Sequence, residues 1–103
     1  MRILSVSEFA RYCEEKRPKS YIYSTENQPN SFSATLRIDM RFEKMFACVN
    51  PNRLCFYNNK HHEFTLTRIK QVNLFDEEDG IGTIFKIICN ENGENRTYVW
   101  LMR

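Results

Sequence analysis

Two adjacent histidines, His61-His62, and four cysteines, Cys13, Cys48, Cys55 and Cys89, are the side chains here best suited to ligate a metal or attack a substrate. Structural zinc sites draw their ligands from close pairs such as Cys-x2-Cys and His-x3-5-His. In this chain the cysteines are far apart. The neighbouring histidines either point to opposite faces of a strand or sit in a turn. Only a cross-strand approach of Cys48 and Cys55 could begin a metal site, so no metal and no cofactor is expected. Covalent catalysis needs a nucleophile, a base within hydrogen-bond reach and a third group to orient the base. The sequence has no Gly-x-Ser-x-Gly, no phosphate loop and no His-Glu-x-x-His. With three glycines it has little material for a backbone phosphate cradle. No catalytic residue is assigned, and a non-enzymatic role is expected.

Charge offers the other chemistry. Asp76, Glu77, Glu78 and Asp79 form an acidic run closed by Gly80. A calcium loop spaces its ligands at alternate positions over about twelve residues, which four consecutive carboxylates do not. Clustered carboxylates do accelerate encounter with a basic partner surface. This run is therefore read as a docking loop, including for a partner that itself handles nucleic acid. Arg37 and Arg41, with Lys44 nearby, alternate with Ser33, Thr35 and Asp39 and could contact phosphate. No aromatic residue shares that face before Phe42, so a base-stacking platform is missing there. The expected partner-binding residues are Asp76, Glu77, Glu78, Asp79, Arg37 and Arg41.

These groups must be held by a chain of 103 residues with 42% hydrophobic, 27% charged and 14% aromatic residues. That is one compact domain over residues 1–103, and too aromatic for intrinsic disorder. The net charge of +2 excludes a binder driven by bulk charge. It is unevenly spread, +5 over residues 1–73 and −3 over residues 74–103. The start of the chain has no apolar stretch of the ~7–15 residues that a signal peptide needs. A cytoplasmic protein with free thiols is therefore expected, without a membrane span.

The elements follow from period and punctuation. Ser5-Val6-Ser7-Glu8 carries a capping box, and Phe9 and Cys13 follow at helical spacing. Arg17-Pro18 ends the segment, predicting a helix over residues 6–16. Ser20–Thr25 reads as a strand. Phe32, Ala34, Leu36, Ile38, Met40 and Phe42 alternate with polar residues, an unbroken period of two. That phase is lost at Glu43-Lys44, where a bulge or turn is expected. Asn50-Pro51-Asn52 reads as a hairpin turn, and with Pro51-Asn52 as its loop Cys48 would face Cys55. A turn centred on Lys60 pairs Phe56 with Phe64 and Leu54 with Leu66. Arg68-Ile69-Lys70 breaks the alternation, and Val72 and Leu74 resume it. Asn92-Gly93 signals a type I′ hairpin that sets Phe85 against Trp100 and Ile87 against Tyr98. The expected class is α+β, mostly antiparallel β. It has one short N-terminal helix and about seven strands in a meander, forming a curled sheet, half-open barrel or sandwich.

The strand rhythm of residues 53–103 resembles that of pleckstrin-homology and GRAM-like modules. It is carried by Leu54-Cys55-Phe56-Tyr57, Phe64 to Val72, Ile84 to Ile88 and Tyr98-Val99-Trp100-Leu101. Those modules close with a C-terminal helix, whereas the helix here is at the other end. The resemblance implies a lipid or phosphate-headgroup binder, in which Lys60, His61 and His62 would contact the headgroup. In size and character the chain also resembles small phage-encoded inhibitors of the anti-CRISPR type, which implies an inhibitor or adaptor with a macromolecular protein partner. The leading expectation is such a protein-interaction module, docking through a sheet edge or face and the acidic loop. Headgroup binding, and nucleic-acid binding through Arg37 and Arg41, are the alternatives.

Overall fold

The computed structural model describes residues 1–24, 40–75 and 82–103. Among them are β1 (Arg2–Leu4), α1 (Val6–Lys16), β2 (Tyr21–Ser24), β3 (Met40–Phe42), β4 (Lys44–Val49), β5 (Asn52–Tyr57), β6 (Glu63–Thr67), β7 (Ile69–Leu74), β8 (Thr83–Glu91) and β9 (Glu94–Met102). Every strand pairing among the described residues is antiparallel. One sheet has six strands in the order β1-β7-β8-β9-β2-β3, and the other has three, β4-β5-β6. The fold is α+β and mostly antiparallel, and it does not close into a barrel. The alternating segment 32–42 is described only from Met40 onward, where it is β3. The acidic run Asp76–Asp79 and Arg37 lie outside the described residues.

The helix forms where its cap predicts. Ser5 Oγ accepts the Glu8 N–H at 3.1 Å, and the Glu8 carboxylate accepts the Ser5 N–H at 2.9 Å. The Ser5 backbone N–H, and then the Ser5 hydroxyl, hold the Glu8 carboxyl below its ordinary pKa. Before Pro18 the chain turns into the left-handed region at Arg17, whose N–H caps the Cys13 carbonyl. Eleven residues are marginal as a free helix. Packing of the buried stripe Val6, Phe9 and Cys13 on β1, β4, β5 and β7 stabilises it.

Two single residues divide the sheets. Glu43 is a bend between β3 and β4, and Arg68, at φ 53°, is a bend between β6 and β7. The loss of alternation read at both places marks where the chain crosses from one sheet to the other. The long β8–β9 hairpin turns at Asn92 and Gly93, both at positive φ as type I′ requires. It pairs Phe85 with Trp100 and Ile87 with Tyr98.

The core lies between the sheets. Trp100 stacks on Phe56 with ring centroids 3.9 Å apart, and Phe85 packs against Trp100, Phe56 and Phe9. Leu54, Leu66, Val72 and Ile87 complete its aliphatic part. Ile22, Val99 and Leu101 form a second buried cluster on the opposite face of the large sheet. That sheet is thus buried on both faces at β9, which is why Val99-Trp100-Leu101-Met102 reads as one apolar run.

Three features differ from the expectation. Strand β1 has only three residues, too few to show a period, and pairing with β7 makes it a strand. The meander holds within β4-β5-β6 and within β7-β8-β9, but β2 inserts between β9 and β3. In the β4–β5 hairpin the loop is Asn50-Pro51, joined by a cis peptide bond, and Cys48 faces Arg53 rather than Cys55. The partner moves by two residues, and because side chains alternate with a period of two, Cys48 and Cys55 still share a face.

Candidate docking face

The three-stranded sheet presents its inner face, with Leu54, Phe56 and Leu66, to the core. Its outer face carries three cross-strand rows: Lys44, Tyr57 and Glu63; Phe46, Cys55 and Thr65; Cys48, Arg53 and Thr67. All of these but Lys44 and Thr67, with Asn58, His61 and His62 of the β5–β6 loop, line an open concave surface of about 740 Å³. Phe46 is 66% exposed at its rim, and Val49 at the end of the same strand is 58% exposed. These are large apolar side chains to leave in water, since full burial of a Phe or Val is worth roughly 1.5–3 kcal/mol.

The loop that closes one end is built by Asn58. Its Oδ1 accepts the N–H groups of Lys60 at 3.0 Å and His62 at 3.1 Å. Its Nδ2 donates to the Arg41 carbonyl at 3.2 Å, which ties the loop to β3. A side-chain amide that mimics a backbone turn is the usual role of Asn at such a place. His61 takes a positive φ of 65°. As a result His61 and His62 both line the concave surface, neither being on a strand. Glu43 secures the same loop by accepting the Asn59 N–H at 3.1 Å.

Cys55 is a bound thiol. Its Sγ donates to Glu63 Oε1 at 3.0 Å and accepts from Thr65 Oγ1 at 3.4 Å. Burial, and then the hydrogen bond to Glu63, push its pKa up, so it carries its proton at neutral pH. A protonated thiol is a poor nucleophile and a poor metal ligand. Among the described residues no group of three His, Cys, Asp or Glu side chains gathers to hold a metal ion, and no helix is long and apolar enough to cross a membrane.

Of the expected site residues only Arg41 is among the described ones. Arg41 is exposed on β3 opposite Ile22, on the outer side of the large sheet. Its carbonyl accepts from Asn58 Nδ2, which joins β3 to the β5–β6 loop. Arg37, Asp76, Glu77, Glu78 and Asp79 lie outside the described residues.

The sequence reading does not single out Phe46 or Arg53, which line this surface. A signal for Phe46 existed: pairing Phe56 with Phe64 commits the even positions of β5 to the core. Phe46 is opposite an odd one and must face out.

Compared with known protein families, with curated proteins and with solved structures, the chain matches none.

Proposed function

We propose that the chain is a non-enzymatic protein-interaction module that holds its partner on the outer face of the three-stranded sheet. One observation carries this reading. Phe46 stands two thirds exposed on an outer strand, in the wall of a concave face. Exposed apolar side chains rimmed by polar ones mark interaction surfaces. The acidic run Asp76-Glu77-Glu78-Asp79 belongs to the proposal as a second contact, for a basic patch on the same partner. A small cytoplasmic module of this kind would act as an inhibitor or adaptor.

Affinity capture from the source cell tests it, comparing the wild type with Phe46→Ser and with a variant carrying Lys at positions 76–79. A single partner that disappears with Phe46→Ser locates the docking face. A partner retained by Phe46→Ser and lost with the charge reversal moves docking to the acidic run. The same partner retained by both variants would sink the proposal.

A second reading has its own observation. The Asn58 bonds fix the backbone of Lys60 and His62, and His61 and His62 line the concave surface. That arrangement suits a phosphate headgroup. Flotation with anionic liposomes tests it, and binding that survives Lys60→Ala and His61→Ala removes it.

A further inference from the structure

Charge on the docking face is one-sided. The outer rows and the loop that closes them carry Lys44, Arg53 and Lys60, against Glu63 in the rows and Glu43 beside the loop. The two carboxylates are already engaged: Glu63 accepts from Cys55 and Thr65, and Glu43 accepts from the Asn59 backbone. Among the described residues no carboxylate forms an ion pair with Lys44, Arg53 or Lys60. Phe46 lies between two of these cations. Lys44 is two residues before it on β4, and Arg53 is diagonal to it on β5. Alternate positions of an extended chain are roughly 6.6 Å apart, so the face repeats as cation, apolar ring, cation with the period of a strand.

We propose that the occupant of this face is an extended, acidic protein segment in which an apolar side chain stands between two carboxylates, in the pattern acidic-x-apolar-x-acidic. The inference rests on the docking reading above and names the chemistry of the partner. The apolar side chain covers Phe46 and the carboxylates meet Lys44 and Arg53. A single-stranded nucleic acid would satisfy the same cations. Its successive bases need several open rings to stack on, and among the described Phe, Tyr and Trp side chains Phe46 alone is exposed, the rest being buried or half-buried. Tyr57, its diagonal neighbour, is half-buried. One open ring flanked by cations fits one apolar side chain between acids.

The test is fluorescence anisotropy with three labelled probes. One is a synthetic peptide with a Glu-Ser-Leu-Ser-Glu core. The second replaces both Glu by Gln. The third is single-stranded oligothymidine. The acidic peptide is expected to bind, to weaken as salt rises from about 0.05 to 0.2 M through the range where screening sets in, and to lose roughly fivefold for each of Lys44→Glu and Arg53→Glu. Phe46→Ala is expected to cost about tenfold, as removal of a central apolar anchor does. Circular dichroism of the three variants, all at exposed positions, reports that they fold.

Equal binding of the Gln peptide, still lost with Phe46→Ala, would overturn the acidic inference and leave the docking face standing. Tighter binding of oligothymidine than of the peptide, lost with Phe46→Ala, would assign the face to nucleic acid. If the acidic peptide binds and Phe46→Ala leaves its affinity unchanged, the docking reading itself fails. No binding of any probe overturns the acidic inference, and the partner captured by the wild type then decides the docking reading alone.

Discussion

Phe56 and Phe46 occupy neighbouring strands of one small sheet, one residue out of phase. Phe56 faces inward, stacks on Trp100 at 3.9 Å and is fully buried. Phe46 faces outward and keeps two thirds of its surface in water. The same contrast holds across the whole sheet. The inner face is Leu54, Phe56, Phe64 and Leu66, packed against the large sheet and α1. The outer face mixes Phe46, Cys55 and Tyr57 with Lys44, Arg53, Glu63 and Thr65. Inner positions contribute folding free energy and touch no partner. An outer Phe contributes little to folding, and the proposed docking would account for its presence. With docking on the outer face, as proposed, the two faces would separate stability from recognition within three strands.

The largest effect expected on the stability side is Phe56→Ala. It removes the ring between Trp100, Phe85, Tyr21 and Phe42, and such a core truncation costs about 3–5 kcal/mol. Urea unfolding measures it, and a loss below about 1 kcal/mol would contradict the packed inner face. Gly82→Ala comes next. Gly82 has a φ of 131°, and a Cβ there would run into the Met102 carbonyl oxygen. A loss of about 1–3 kcal/mol is expected, with docking unchanged in the fraction that folds.

Alkaline pH probes the buried core directly. Burial raises the Cys13 thiol to about 12 and the Cys89 thiol to about 11. Unfolded thiols ionise near pH 8.5, so above that pH the native state binds more protons than the unfolded one. Stability is then full below about pH 8.5 and declines as pH rises toward the folded values. A Cys89→Ala variant should show a shallower decline in unfolding free energy. A decline of unchanged slope would mean that Cys89 is not buried as described.

The smallest stability effect belongs to Phe46→Ala, within about 0.5 kcal/mol of wild type, as for most exposed positions. Together with lost partner binding, this result sharpens the contrast with Phe56. A drop of several kcal/mol would instead mean that Phe46 is a core residue and that the two faces are not distinct.

Most local structure was legible because local physics sets it. The Ser5–Glu8 box and Pro18 bracket the helix at Val6 and Lys16. Asn92-Gly93 fixes the register of β8 and β9 down to the pairing of Phe85 with Trp100. The Asn50-Pro51-Asn52 turn was less informative. Its residues admit two loop positions, and moving the loop by one residue carries each partner by two. The parity that assigns faces survived, while the Cys48–Cys55 pairing did not.

The candidate face was less legible still. Alternation in Lys44-Met45-Phe46-Ala47-Cys48-Val49 is weak, because an exposed Phe looks like a buried one in sequence. The link from Asn58 to the Arg41 carbonyl joins residues seventeen apart, and no local pattern encodes it. By itself the sequence determined the antiparallel class, the helix, the turns and which positions of β5 and β6 face the core, since each depends on neighbours in the chain or on a period of two. Only the tertiary structure decided that Glu43 and Arg68 divide the strands between two sheets, that β2 pairs with β9, and that Lys44, Phe46 and Arg53 share one open face. Those outcomes depend on which distant surfaces bury one another, and that competition is settled across the whole fold.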